Sequence, residues 1–202
     1  MLVGVLAIQG DFAAHAAVLQ RLGCASRLVR RPDDLDGLDA LILPGGESTT
    51  MLKFLAQGDF LDRLRQFLAH HPALGTCAGA ILMARRVTGP SQPSLGALDM
   101  TAVRNAYGRQ RDSSIRSARV EPDFVAALGA VTLEAVLIRA PRFRDLGPGV
   151  EVVASVEGEP VLLRQGRLVA SSFHPELSPP PVGDAVHRWF LHSVVAPPTQ
   201  SG

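Results

Sequence analysis

Gly75-Thr76-Cys77-Ala78-Gly79 is the segment that most limits the folds open to this chain. Residues 72–76 form a short strand-like run, and residues 80–85 carry a helical pattern. The pentapeptide between them is the thiol version of the G-x-S-x-G elbow, a tight strand-to-helix turn. Such a turn needs a strand ending at the carboxyl edge of a sheet and a helix leaving at once. Glycines on both sides, having no Cβ, let strand and helix pack closely. The sulfur then projects beside a helix N-terminus, where negative charge is favoured. A free cysteine is more often a small buried hydrophobe. Cys24, between Gly23 and Ala25, is read that way; Cys77, inside the elbow, is read as a nucleophile.

The rest of the first half suits that elbow. Residues 2–8 form a nearly continuous apolar run, as expected of a strand buried on both faces of a parallel sheet. Residues 12–22 have helical spacing, with Phe12, Val18, Leu19 and Leu22 able to share a face and Gly23 at the C-terminal cap. Residues 26–29 and 40–43 read as strands, and residues 60–69 as a helix. A helix through about residue 55 can be capped by Ser48 or Thr49. This alternation predicts a three-layer, doubly wound, mostly parallel α/β sheet. The second half offers strand-like runs at 101–104, 133–138, 150–156, 161–164 and 168–172, some separated by Glu157-Gly158-Glu159 and Gln165-Gly166. These predict antiparallel hairpins added to the sheet. Residues 184–195 form a closing amphipathic helix with Val186, Trp189, Phe190 and Val194 on one side. A single domain over residues 1–196 and a disordered tail over 197–202 are expected.

Composition narrows the function. Hydrophobic residues make up 47% and charged residues 19%, so the chain can bury a sizeable core. A net charge of +1 leaves no electrostatic footprint for nucleic acid or an anionic membrane. No apolar run approaches the ~20 residues a membrane helix needs. The apolar start lacks the basic region of a signal peptide. Two cysteines are too few for a disulfide scaffold, which suits reduced thiols in the cytoplasm.

A thiolate nucleophile needs a base and a group to orient that base. Ser172-Phe173-His174-Pro175-Glu176 follows the last predicted strand and offers both. In extended chain His174 and Glu176 point the same way, so the carboxylate can hold the far ring nitrogen while the near one faces sulfur. The plainer reading is a surface loop with an incidental histidine. His70, His71, His187 and His192 lack such a setting and are read as solvated or packing residues, with no metal-ligand company. Pro44-Gly45-Gly46-Glu47-Ser48-Thr49-Thr50 links a strand to a helix and exposes backbone N–H groups that can bind an oxyanion. Alone it is an ordinary loop, and it lacks the spacing of a phosphate loop.

These three pieces, in this order, resemble the class I glutamine amidotransferases. The chain is similar in particular to the glutaminase subunits of pyridoxal phosphate synthase. That resemblance rests on Gly4-Val5-Leu6-Ala7-Ile8-Gln9-Gly10, Leu43 to Thr50, Arg104-Asn105-Ala106-Tyr107-Gly108-Arg109-Gln110, Ile138-Arg139-Ala140-Pro141 and Ser172 to Leu177. It implies Cys77 as nucleophile with His174 and Glu176 as relay. It implies glutamine contacts from Gly46, Glu47, Ser48, Arg104, Ile138 and Arg139. It also implies a separate synthase subunit as partner in a hetero-oligomer, and no cofactor for the hydrolysis. An arginine can bind the glutamine α-carboxylate, and Glu47 or carbonyl groups the α-ammonium; Arg104 and Arg139 both remain open for the first. Backbone N–H groups of Gly45, Gly46 and Ala78 are the expected oxyanion donors. Gln9 is expected to brace this region or face the partner. The chain departs from the family at Ala14, where an acid usually precedes the helix histidine, and at Ser114, Ile115 and Ala80. The stretch 116–136 also runs longer than expected. The alternatives are a glutaminase of another pathway, of the histidine-pathway type, and a catalytically silent subunit on the same fold.

Overall fold

The structure, a computed structural model, describes residues 1–104 and 114–195. Most of the family-marking segment (residues 105–110) and the expected tail (197–202) lie outside the described residues.

The chain runs β1 (Leu2–Leu6), α1 (Phe12–Arg21), β2 (Ala25–Val29), β3 (Ala40–Leu43), α2 (Ser48–Leu55), α3 (Phe60–His70), β4 (Ala73–Thr76) and α4 (Ala78–Met83). It continues through β5 (Ala84–Thr88), β6 (Leu98–Val103), β7 (Ser114–Val120), α5 (Pro122–Leu128), β8 (Thr132–Leu137) and β9 (Arg142–Arg144). It closes with β10 (Glu151–Val156), β11 (Glu159–Gln165), β12 (Leu168–Ser171) and α6 (Ala185–Trp189), which passes into a π-helical turn at Phe190–Val195.

A nine-stranded sheet has the order β2-β1-β3-β4-β12-β11-β10-β7-β8. From β2 to β12 neighbouring strands are parallel; beyond β12 every pair is antiparallel. The expected mixed sheet is therefore present. β10–β11 is a hairpin closed at Glu157 (φ 52) and Gly158 (φ 81), the positive angles that a type I′ turn requires. β5, β6 and β9 form a second, three-stranded sheet that the sequence pattern did not predict.

β1, β3, β4 and β12 are buried on both faces, which is why they read as apolar runs, while the edge strand β2 is mostly exposed. In β3, Leu41 and Leu43 join the layer beneath α2, α3 and α4. Ala40 and Ile42 alternate to the other face, packing with Leu19 of α1 and with Val186 and Trp189 of α6. The four residues expected on the buried side of the closing helix, Val186, Trp189, Phe190 and Val194, are all buried.

The predicted 80–85 helix is corrected: α4 starts at Ala78 and stops at Met83, and Ala84 (φ −58, ψ 147) is already extended to pair with β6. Neither Ser48 nor Thr49 caps α2. Glu47 does, its carboxylate accepting from the N–H groups of Thr49 at 3.0 Å and Thr50 at 2.7 Å.

Candidate active site

β4 and β12 are adjacent and parallel, with Thr76 in register with Ser171. Their carboxyl ends therefore deliver Cys77 and His174 to one edge of the sheet. Cys77 has φ 46 and ψ −102, a region that a side chain rarely occupies. Two backbone bonds hold it: Cys77 N–H donates to the Ser171 carbonyl at 2.8 Å, and Ile81 N–H donates to the Cys77 carbonyl at 3.1 Å. The flanking glycines are obligatory on packing grounds. A Cβ on Gly79 would strike the Leu43 carbonyl, and one on Gly75 would lie 2.8 Å from Ala80 N.

His174 N–H donates to the Val136 carbonyl at 3.0 Å, and His174 Nδ1 lies 2.8 Å from Glu176 Oε1. The route to that contact differs from the extended chain expected: a 3-10 turn over Pro175–Leu177 swings the carboxylate back under the imidazole. Burial disfavours the His174 imidazolium. Hydrogen bonds to Cys77 and Glu176, and their negative charges, outweigh it and lift the group to about 10. The Cys77 sulfur also lies 3.8 Å from the Ile138 carbonyl.

The Gly45-Gly46 loop is packed hard against this pair. A side chain on Gly45 would collide with the His174 ring, and one on Gly46 (φ +153) with Gln9. Gln9 Oε1 accepts from Glu47 N–H at 2.7 Å, and Asp11 N–H donates to the Gly45 carbonyl at 3.2 Å. Gln9 thus braces the loop. Ala78 is the first residue of α4, so its N–H has no intrahelical acceptor.

A cleft of about 140 Å³ opens over the sulfur. It gathers Gly46, Glu47, Ser48, Cys77, Arg104, Ile138, Arg139 and His174, together with Asp11 and Ile81, which the sequence reading did not single out. Glu47 serves two ends. Burial would raise its carboxyl, but the Thr50 hydroxyl and the Thr49 and Thr50 N–H groups lower it to about 2. Arg104 Nη2 lies 3.4 Å from Glu47 Oε1 and 3.2 Å from Thr49 Oγ1, so a fixed cation and a fixed anion sit side by side. Arg139 is exposed and has φ 47.

The SNO glutamine amidotransferase family matches residues 5–196 of the chain. The chain belongs to that family. It is 52% identical over 190 residues to the pyridoxal 5'-phosphate synthase subunit PdxT of Solibacter usitatus, covering 94% of this chain and 97% of that protein. It is 48% identical to the PdxT subunit of Koribacter versatilis, covering 96% of each. A crystal structure of a glutamine amidotransferase aligns with a TM-score of 0.83 at 46% identity, over 94% of this chain and 96% of that one.

One part of this glutamine amidotransferase site was not legible in its motifs. His15 and His187 are fully buried behind Glu176. The sequence pattern reads His187 as solvated or packing and gives His15 no role. Helical spacing places each on an apolar helix face, and only the packing of α1 against α6 makes them neighbours. Asp11 lies 3.6 Å from His174 Nδ1. Among the described residues, Asp11, His174 and Glu176 form the one group with ligand atoms close enough for a metal, within 4.8 Å. His174 Nδ1 already faces the fully buried Glu176 carboxylate at 2.8 Å, which is the geometry of a hydrogen-bonded relay.

Proposed function

We propose that the chain hydrolyses L-glutamine to glutamate and ammonia and hands the ammonia to a synthase subunit that makes pyridoxal 5'-phosphate from ribose 5-phosphate and glyceraldehyde 3-phosphate. The observation that carries the chemistry is Cys77 held at φ 46 against an imidazole that is itself bonded to a buried carboxylate. The Cys77 thiolate attacks the side-chain amide carbon. His174 takes the thiol proton and gives it to the leaving ammonia, and water then cleaves the thioester. The N–H groups of Ala78 and of the Gly45-Gly46 loop hold the oxyanion. The zwitterionic end of glutamine fits the Arg104–Glu47 pair, with Ser48, Ile138 and Arg139 completing the cleft. Glutamine hydrolysis by these groups uses no cofactor.

The relatives' description as synthase subunits supports a protein acceptor for the ammonia. Residues 1–196 act as one glutaminase unit. Free thiols at Cys24 and Cys77 suit a reducing cytoplasm, and no helix among the described residues is long and apolar enough to cross a membrane. The deciding experiment is a glutaminase assay with and without a pyridoxal 5'-phosphate synthase subunit, run on the parent and on Cys77→Ala. We expect hydrolysis by the parent with the partner present, and none by folded Cys77→Ala. Near-parental turnover in that variant would remove the nucleophile assignment.

A further inference from the structure

A line of buried polar groups continues behind the triad, and the hydrolysis as described above leaves it unused. His15 on α1 and His187 on α6 are both 0% exposed. His15 Nδ1 lies 2.8 Å from His187 Nε2. On its other side, His15 Nε2 lies 3.1 Å from Thr76 Oγ1 and 3.4 Å from Glu176 Oε1. That same Oε1 is the atom 2.8 Å from His174 Nδ1. One carboxylate oxygen therefore stands between two imidazoles. One of them faces the sulfur; the other faces the core.

The surroundings make the arrangement costly to keep. The layer around it is built from Val5, Leu19, Ile42, Leu74, Phe173 and Trp189. Polar groups persist in such a place when they are hydrogen-bonded to one another. Here the partners come from α1, α6, the end of β4 and the turn after β12, so the whole fold specifies the contact.

The positions of the protons follow from the acceptors. The ionised Glu176 carboxylate can only accept, so a bare lone pair on His15 Nε2 would repel it; Nε2 carries hydrogen. Burial, then the charge of His15, push His187 down to about 3, so His187 is neutral and owns a single N–H. The Gly183 carbonyl also approaches His187. His187 Nε2 and His15 Nδ1 share one hydrogen across 2.8 Å, which fixes the orientation of the His15 ring.

We infer that His15 is a positioning residue: its Nε2–H holds Oε1 of Glu176 in the orientation that His174 needs, and His187 holds the His15 ring in the orientation that can do so. The inference rests on the triad reading given above. Charge agrees with geometry. Burial alone would raise the Glu176 carboxyl, but the charge and hydrogen bond of His15, followed by those of His174, hold it well below the usual carboxylate range. The other charged groups near this line are Asp11, 3.6 Å from His174 Nδ1, and Asp184, which faces His187 and is bound to Arg21 at 2.7 Å. Throughout the reaction His15 keeps its own proton; only His174 moves one between sulfur and ammonia.

The test compares His15→Leu, which keeps bulk and removes the donor, with His15→Gln, whose amide N–H falls near the Nε2 position. Glutaminase kinetics are read across pH with the synthase subunit present, alongside thermal unfolding. His15→Leu should lower kcat about 10- to 100-fold, the usual effect of losing a group that orients a functional side chain, with little change in KM. The acidic limb of kcat/KM should move to higher pH, because an unsupported Glu176 protonates more readily. His15→Gln should recover most of the rate. A folded His15→Leu with parental kcat and acidic limb would overturn the inference. So would equal losses in both variants with an unmoved limb, which would mark a packing effect alone. Long-range 15N–1H spectra of the unsubstituted chain give a readout that needs no variant: Nε2 of His15 should be protonated, and a bare Nε2 overturns the proposal. Activity surviving in Cys77→Ala marks the different failure, that of the triad itself.

Discussion

At the scale of single residues, the site depends on one strained backbone and one shared carboxylate. Holding Cys77 at φ 46 costs on the order of 1–3 kcal/mol, which the surrounding backbone bonds must offset. His174→Asn should lower kcat by about 100-fold or more, because the imidazole moves protons in both half-reactions. Glu176→Gln should be milder, since that group orients and does not itself transfer a proton. Steady-state turnover of the two variants, side by side, checks the ranking; a His174→Asn enzyme as active as the parent would reveal another base. The same groups set stability against pH. His174 is raised to about 10, so its contribution is complete below its ordinary 6.5 and is lost as pH rises through about 10. Glu176 is lowered, so its contribution is present above its ordinary 4.5 and is lost as pH falls through its lowered value. His187 is lowered to about 3: between 6.5 and 3 the unfolded chain binds a proton that the folded chain refuses, so stability falls as pH falls. His187→Leu should flatten that acid slope by up to about 1 kcal/mol per pH unit, read from urea midpoints between pH 4 and 7. An unchanged slope would mean His187 does not titrate on unfolding.

At the scale of elements, the elbow between β4 and α4 is where local pattern and packing agree best. Gly79 sits where a Cβ would meet the backbone of β3 and not a movable side-chain tip. Gly79→Ala should therefore destabilise the chain by at least the roughly 1–3 kcal/mol typical of overpacking and lower activity with it, since α4 carries Ala78. Denaturant unfolding measures the first; a midpoint equal to the parent's would show that α4 can shift freely. The misread elements fail for identifiable reasons. Ala84-Arg85-Arg86 has no helix stop of its own, so only pairing with β6 ends α4 at Met83. Ser48 and Thr49 looked like caps because short hydroxyl side chains usually serve there. In the fold Ser48 Oγ turns to Gln92 Oε1 at 3.1 Å, and the longer Glu47 takes the cap. The T-shaped contact of Phe124 with Trp189, with ring centres 6.1 Å apart, joins α5 to α6, and nothing in the sequence pattern marked α5 as an element.

At the scale of the whole molecule, the cleft beside the Gly45-Gly46 loop belongs to a chain whose relatives are synthase subunits, so the acceptor of the ammonia is expected on a partner. A subunit that hydrolysed glutamine alone would waste it. Docking of the synthase subunit is expected to align the oxyanion donors of this loop and so raise kcat more than it changes KM. One misdirected donor costs about 100- to 1000-fold, enough to keep the free chain nearly silent. The loop rests on Gln9 and on Asp11 N–H, so strain applied to the β1–α1 turn would reach it directly. Glutaminase kinetics of the purified chain titrated with the synthase subunit test this. Equal kcat with and without the partner would refute the coupling and leave the triad in place.

The sequence by itself determined the strand-to-helix elbow at Cys77, the His174–Glu176 pairing and the parallel first half. Each of these depends on short-range geometry: a glycine-flanked turn, a two-residue spacing, an apolar run ending at a strand's carboxyl edge. Tertiary structure decided the rest. It turned Glu47 into a cap facing Arg104, gave Gln9 the loop to brace, and set His15, Thr76, Glu176 and His187 in a line. Those contacts join residues as far as 172 apart in the chain. Nothing local distinguishes a buried histidine on an apolar helix face from a packing residue until α1 and α6 meet on the same side of the sheet, because a side chain's role there is set by what lies opposite it.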